Sequence, residues 1–275
     1  MKKKHRRLLL SLALVGLVIV LSACGATGEV NSSSTGVWDR FIVYNFARAI
    51  QALSFGNIGV GIILFTMVIR IILLPLMHFQ TKNMRKTQEL QPKLKELQQK
   101  YSSRDPETQN KMREEQQKLY AENNVNPYMG CLPLLVQMPI LMALWQSISR
   151  VPELSQGTFL WLNLGERDPY FILPVLAAIF TFASTYLSSM SQLESNMSLK
   201  IMNFAMPVMI LVMGVNLASG LSLYWVISNA FQVGQTLLIN NPFKIRAERA
   251  AEAQKVKDRQ RALEKARNPK KKRRK

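Results

Sequence analysis

Four windows of this sequence are nearly empty of charge. Residues 49–81 contain one charged side chain, Arg70, and residues 123–149, 169–193 and 201–243 contain none. A helix crosses the hydrocarbon of a bilayer with about 20 apolar residues. Each window is therefore long enough for one crossing, and the last is too long for only one. Residues 216–222 (Asn-Leu-Ala-Ser-Gly-Leu-Ser) supply a turn that divides it. The expected spans are 58–78, 130–149, 169–189, 201–215 and 221–240. The fourth is short, which calls for tilt or local bilayer thinning. The fold class expected is an all-α polytopic membrane protein with five transmembrane helices. Composition agrees once it is divided. A mean hydropathy of +0.02 averages 48% hydrophobic residues with 36 Lys and Arg against 17 Asp and Glu. That segregation excludes one water-soluble domain, the apolar content excludes disorder, and two Cys exclude a disulfide scaffold.

The charged segments orient the spans. Residues 82–122 hold ten basic side chains, 244–275 hold fifteen and 150–168 hold two. The positive-inside rule places a segment at 79–129 and a tail at 241–275 in the cytoplasm, and the 150–168 loop outside. The 190–200 loop is then cytoplasmic and the 216–220 turn outer. The N-terminus fits the same orientation. Residues 1–23 read as a signal peptide: five basic residues within 1–7, an apolar run over 8–21, then Leu21-Ser22-Ala23-Cys24. This order resembles a bacterial lipobox, which implies cleavage before Cys24 and a lipid anchor on its thiol. Residues 24–36 form a polar, lipidated tether outside the cell membrane. Residues 37–57 carry an apolar stripe of Trp38, Phe41, Ile42, Phe46, Ala49, Ile50 and Leu53, interrupted by Asn45. The spacing predicts an amphipathic helix in the outer interface.

Two cytoplasmic features each leave two readings open. Residues 82–101 and 106–123 are rich in helix formers, and Asp105-Pro106 suits an N-cap followed by N1. They predict an antiparallel helical hairpin with a narrow apolar edge (Leu90, Leu94, Leu97, Tyr101), poorly anchored in itself. It is either a solvated linker or a docking arm. The tail is either an anchor on anionic lipid or a contact with ribosomal RNA phosphates, without readout of any nucleic-acid sequence.

Arg70 is the chemical anomaly. At about 1.5 Å per residue it lies about 3 Å from the midplane of its span. A charge there costs about 2.5–3.5 kcal/mol on insertion scales, and no Asp or Glu lies in any of the five spans. Polar residues able to wall a water-accessible pocket are Gln137 in the second span and Thr181, Ser184, Thr185, Ser188 and Gln192 in the third. The fifth adds Tyr224, Ser228 and Gln232, with Trp225 alongside. Prolines 75, 133, 139, 174 and 207 oppose tight closure. The alternative is ordinary interhelical hydrogen bonding around a snorkelling Arg, which its depth disfavours. No nucleophile–base pair, nucleotide loop or metal-spaced cluster accompanies the pocket. It reads as a binding surface, with no catalytic residue, metal or cofactor expected and no enzyme implied.

Several motifs carry a resemblance. They are Ile69-Arg70-Ile71 with Leu74-Pro75-Leu76, Asn126-Pro127 with Gly130-Cys131-Leu132-Pro133, and Gln137-Met138-Pro139-Ile140. Phe159-Leu160-Trp161, Leu164-Gly165, Asp168-Pro169 and Leu223-Tyr224-Trp225 complete the set. On these, residues 38–243 resemble the YidC/Oxa/Alb membrane protein insertases, in their Gram-positive lipoprotein form. The resemblance implies five helices around a hydrophilic groove, in which Arg70 receives acidic substrate tails. It implies nascent membrane proteins, the Sec translocon and the lipid bilayer as partners, with the ribosome through the basic tail. Family members often carry Gln where Ser184 and Thr185 stand. Two other readings stay open: a lipid-anchored assembly chaperone without insertion activity of its own, and a small-solute channel or transporter.

Overall fold

The computed structural model describes residues 28–103, 105–130, 132–190, 197–239 and 241–267. The signal peptide, Cys24, Cys131, Gln192 and the last basic run lie outside the described residues. The described chain is mostly helical: α1 (Tyr44–Ala52), α2 (Ile58–Glu89), α3 (Gln91–Lys100), α4 (Pro106–Glu122), α5 (Leu132–Arg150), α6 (Ile172–Met190), α7 (Met197–Gly214), α8 (Ser219–Ile239) and α9 (Pro242–Arg267). Three helical segments are long and apolar enough to cross a membrane: Ile58–Glu89, Pro127–Arg150 and Ile172–Met190. In α7 the described apolar part, Asn203–Gly214, is shorter than a span. Helix α8 has 21 residues but carries Ser, Tyr, Asn, Gln and Thr along its length.

Helix α2 starts where Asn57, as N-cap, accepts from the N–H groups of Gly59 and Val60. It then runs unbroken through Pro75 for 32 residues, past the boundary expected at residue 78. It stops at Leu90 because Pro92 lacks an N–H and its ring crowds the carbonyl of Gln88. The hairpin is therefore α3 against α4, rather than a first arm running over 82–101. Its base is better anchored than its narrow stripe suggests. Leu90, Leu94 and Val125 are buried together with Leu119 and Tyr120 packed on them. Asn83 donates to the carbonyl of Asn126 at 2.7 Å and accepts from its N–H at 3.3 Å. Toward the tip, Tyr101 donates to Glu115 at 2.8 Å with Lys100 3.5 Å away. Those contacts hold the Glu115 carboxyl below its ordinary range.

The main core lies at the opposite end of the helices, in a folded cap. Residues 150–168, expected as a loop, form a helical turn (Pro152–Ser155) and a two-stranded hairpin, β1 (Thr158–Phe159) with β2 (Leu162–Asn163). Leu154, Leu162 and Leu164 are fully buried there. The stripe expected to rest in the interface is partly turned onto protein. Trp38, Val43, Ala47 and Ile50 are buried in one cluster with Leu144 and Ile148 of α5, while Phe41 stays exposed. A π-helical segment at Asp39–Val43 has a wider turn, and from its end onward the buried line adds Val43 and Ala47, which lie off the expected stripe, to Ile50, which lies on it. The tether is docked too: Val30 is buried, and its N–H donates to the Arg150 carbonyl at 2.9 Å.

Candidate functional site

Helix α8 packs against both α2 and α6 and touches α5, so it is the element that gathers the predicted site residues. Arg70 on α2 is half-buried and has no hydrogen bond or ion pair among the described residues. Tyr224 on α8 lies close enough to interact with it electrostatically. The Tyr224 hydroxyl in turn accepts a hydrogen bond from Gln137 Nε2 on α5. Three helices thus bring Arg70, Tyr224 and Gln137 into one neighbourhood. Pro139 lies two residues beyond Gln137 within α5.

The hydroxyls of α6 behave differently. Thr181 donates to the carbonyl of Ala177 at 2.6 Å, and Thr185 to that of Thr181 at 2.9 Å. Such back-bonding satisfies a hydroxyl within its own helix. Ser184 donates to Thr181 O at 3.0 Å and reaches Asn229 Oδ1 of α8 at 3.4 Å. Thr181 and Ser184 are buried, while Thr185 and Ser188 are half-buried. Two of the four therefore sit inside the helix packing. On α8, Trp225 and Gln232 are half-buried, and Ser228 is buried with a hydroxyl that has no partner among the described residues. Ser228 lies one turn from Tyr224 on the same face.

The sequence reading missed a second polar cluster, in the cap. Arg150, at the end of α5, holds Asp39 through two bonds, donates to Gln146 Oε1 at 3.0 Å and reaches the Gly28 carbonyl at 2.8 Å. Trp38 Nε1 donates to the same Gln146 oxygen at 3.0 Å. The signal available in the sequence is an acidic residue in the helix near 40 and an Arg at the end of a span. Among the described residues no three His, Cys, Asp or Glu gather as metal ligands.

A mostly helical chain, with three helices long and apolar enough to cross a membrane, defines a helical membrane protein. The family model described as 60Kd inner membrane protein matches residues 50–248, and this chain belongs to that family. It is 73% identical over 271 residues to membrane protein insertase YidC of Enterococcus faecalis, covering 98% of each chain. It is 57% identical over 272 residues to membrane protein insertase YidC 1 of Lactococcus lactis, covering 97% of this chain and 99% of that one. A crystal structure of an active YidC insertase with its first transmembrane domain resolved superposes with a TM-score of 0.56 at 30% identity. That match covers 74% of this chain and 47% of the other.

Proposed function

We propose that this chain is a membrane protein insertase and chaperone that inserts, folds and assembles integral membrane proteins, alone or with the Sec translocon. The observation that carries the reading is Arg70: a half-buried charge without a carboxylate partner among the described residues, near the Tyr224–Gln137 pair. An unpaired positive charge in a medium less polar than water attracts an anion strongly. An acidic group in the N-terminal tail of a nascent chain is a suitable one. Tyr224, Gln137 and the unpartnered Ser228 hydroxyl offer that tail hydrogen bonds in place of some of its water. The hydrophobic segment that follows slides along the boundary between protein and lipid, and the tail then crosses a thinner apolar barrier. Each step is binding and release, so the chain needs no cofactor or catalytic residue of its own.

In this reading five helices, α2, α5, α6, α7 and α8, span the membrane around a hydrophilic groove. Thr185, Ser188, Trp225 and Gln232 line its half-buried parts, with Thr181 and Ser184 behind them. The cap and a lipidated Cys24 lie outside the cell, and the hairpin and tail in the cytoplasm. Helix α9 stands exposed along almost its whole length. It presents its basic side chains to anionic lipid and to the ribosome, without sequence-specific nucleic-acid contact.

The test is insertion of a purified single-span substrate with an acidic tail into vesicles containing only this protein. Arg70→Ala should impair insertion, and Arg70→Lys should retain it if charge rather than guanidinium geometry matters. Full activity of Arg70→Ala on several acidic substrates would sink the mechanism. Folding assistance without insertion would favour an assembly chaperone, and solute uptake without insertion a channel. Undiminished ribosome co-sedimentation after removal of 241–275 would dismiss the tail contact.

A further inference from the structure

Among the described residues, four that are not glycine adopt a left-handed backbone. They are Phe55, Asn124, Leu160 and Phe171, with φ of 48°, 51°, 55° and 56°. Asn tolerates that region. Phe and Leu do not, because Cβ crowds the backbone there. Asn124 belongs to the hairpin end, and the three bulky apolar residues all belong to the cap. They are also exposed: Phe55 by 84%, Leu160 by 74% and Phe171 by 48%. Two penalties, steric strain and an apolar side chain in water, therefore fall on the same three residues. Strain of this kind persists where a surrounding structure or a function compensates it.

We propose that Phe55, Leu160 and Phe171 are lipid anchors. They seat the cap in the membrane leaflet at its own end, with their side chains in the boundary between phospholipid headgroups and acyl chains. Their placement supports this. Phe55 stands two residues before Asn57, the N-cap of α2, in a turn closed by the Asn57 N–H donating to the Ser54 carbonyl at 2.8 Å. Phe171 directly precedes α6. Its turn is tied by the buried Asp168, whose carboxylate accepts from the N–H groups of Tyr170 at 3.1 Å and Leu173 at 2.7 Å. Leu160 is the first residue of the two-residue loop joining β1 to β2, a position where such turns usually carry Gly.

That hairpin connects the ends of two helices long and apolar enough to span a membrane. Phe159 packs so tightly on Gly59 in the first turn of α2 that a Cβ there would lie 2.2 Å from its ring. Trp161 Nε1 donates to Asp168 at 3.1 Å, just ahead of α6. The three anchors thus follow the rim of the helix ends. They continue an exposed apolar face, because Phe171, Val175, Ile179, Phe182 and Tyr186 succeed one another at steps of three and four residues. A surface continuous with the lipid-facing stripe of a span has lipid as its occupant. Exposed Trp161 and Tyr170 beside it are the residue types that collect at membrane interfaces.

The experiment places the photoreactive amino acid benzoylphenylalanine at position 55, 160 or 171 of the full chain. It closely mimics Phe at two of these sites and is added to an exposed turn at the third. Gln156 and Glu166, exposed polar positions of the same cap, serve as controls. The purified protein is irradiated in phosphatidylglycerol bilayers and analysed by mass spectrometry. The expected result is phospholipid adducts at the three sites and none at the controls. Absence of adducts at all three, or equal labelling of the controls, overturns the proposal. So does crosslinking in whole membranes to another protein alone, which would make this rim a protein-docking surface instead.

Discussion

Arg150 and Asp39, 111 residues apart, form a two-pronged ion pair in the cap, with N–O distances of 2.9 and 2.7 Å. Their side chains are only 10% and 16% exposed. The pair joins α5 to the π-helical segment ahead of α1, and the same guanidinium holds the Gly28 carbonyl. Removing one partner leaves the other charge poorly solvated. Asp39→Ala should therefore destabilise the protein by about 3 kcal/mol. Joint replacement, Asp39→Leu with Arg150→Met, should cost less than the sum of the single changes. Thermal unfolding of Asp39→Ala, of Asp39→Leu, of Arg150→Met and of their combination in bilayers checks this, and additive losses would count against a coupled pair.

Two glycines of α2 make contrasting predictions. A Cβ at Gly59 meets the side chain of Phe159 at 2.2 Å, whereas one at Gly61 meets the backbone oxygen of Ile50 at 2.4 Å. Overpacking of this sort costs about 1–3 kcal/mol or more. Trimming Phe159→Ala should partly rescue Gly59→Ala. No side-chain truncation should rescue Gly61→Ala, because its obstacle is main chain. Melting temperatures of the single and double variants decide the matter.

Tyr224→Phe removes the hydroxyl that accepts from Gln137 Nε2. The expected loss of stability is about 1 kcal/mol, the usual net value of one hydrogen bond. If that hydroxyl also serves an entering tail, insertion of acidic-tailed substrates should fall while that of neutral-tailed ones holds. Equal loss for both substrate classes would assign Tyr224 to structure alone.

The hairpin carries its own pH dependence. Asp105 caps α4, and hydrogen bonds donated by the Ser103 hydroxyl and the Thr108 N–H pull its carboxyl down to about 2. A folded value below the unfolded one means that the unfolded state binds the proton more readily. The cap's contribution is therefore complete above about pH 4 and is lost as pH falls toward 2. Amide exchange in the first turn of α4 should be flat from neutral pH down to that window once intrinsic rates are corrected. Asp105→Asn should flatten it throughout.

Much of the architecture was legible because hydropathy is a local property. Charge-free windows mark apolar helices whatever their neighbours do, and Arg70 is conspicuous for the same reason: it is a charge where composition forbids one. The motifs around Arg70, Gln137 and Tyr224 were enough to point to the insertase family. Other features were not visible. Pro92 ends α2 at Leu90, although the helix-forming composition runs on past it. From the end of the π turn at Asp39–Val43 the buried line adds Val43 and Ala47. Thr181 and Ser184 share a helical face with the expected pocket wall but bond back to their own helix.

The sequence by itself determined that this is a helical membrane chain of a known family, with one charge set in an apolar stretch. Lipid and water sort side chains by their own chemistry, one segment at a time. Only the tertiary structure decided that 150–168 folds into a cap, that Arg150 pairs with Asp39, and that Tyr224 accepts a hydrogen bond from Gln137. Those contacts join residues far apart in the chain. Their geometry depends on how helices pack, and no local pattern of residues encodes it.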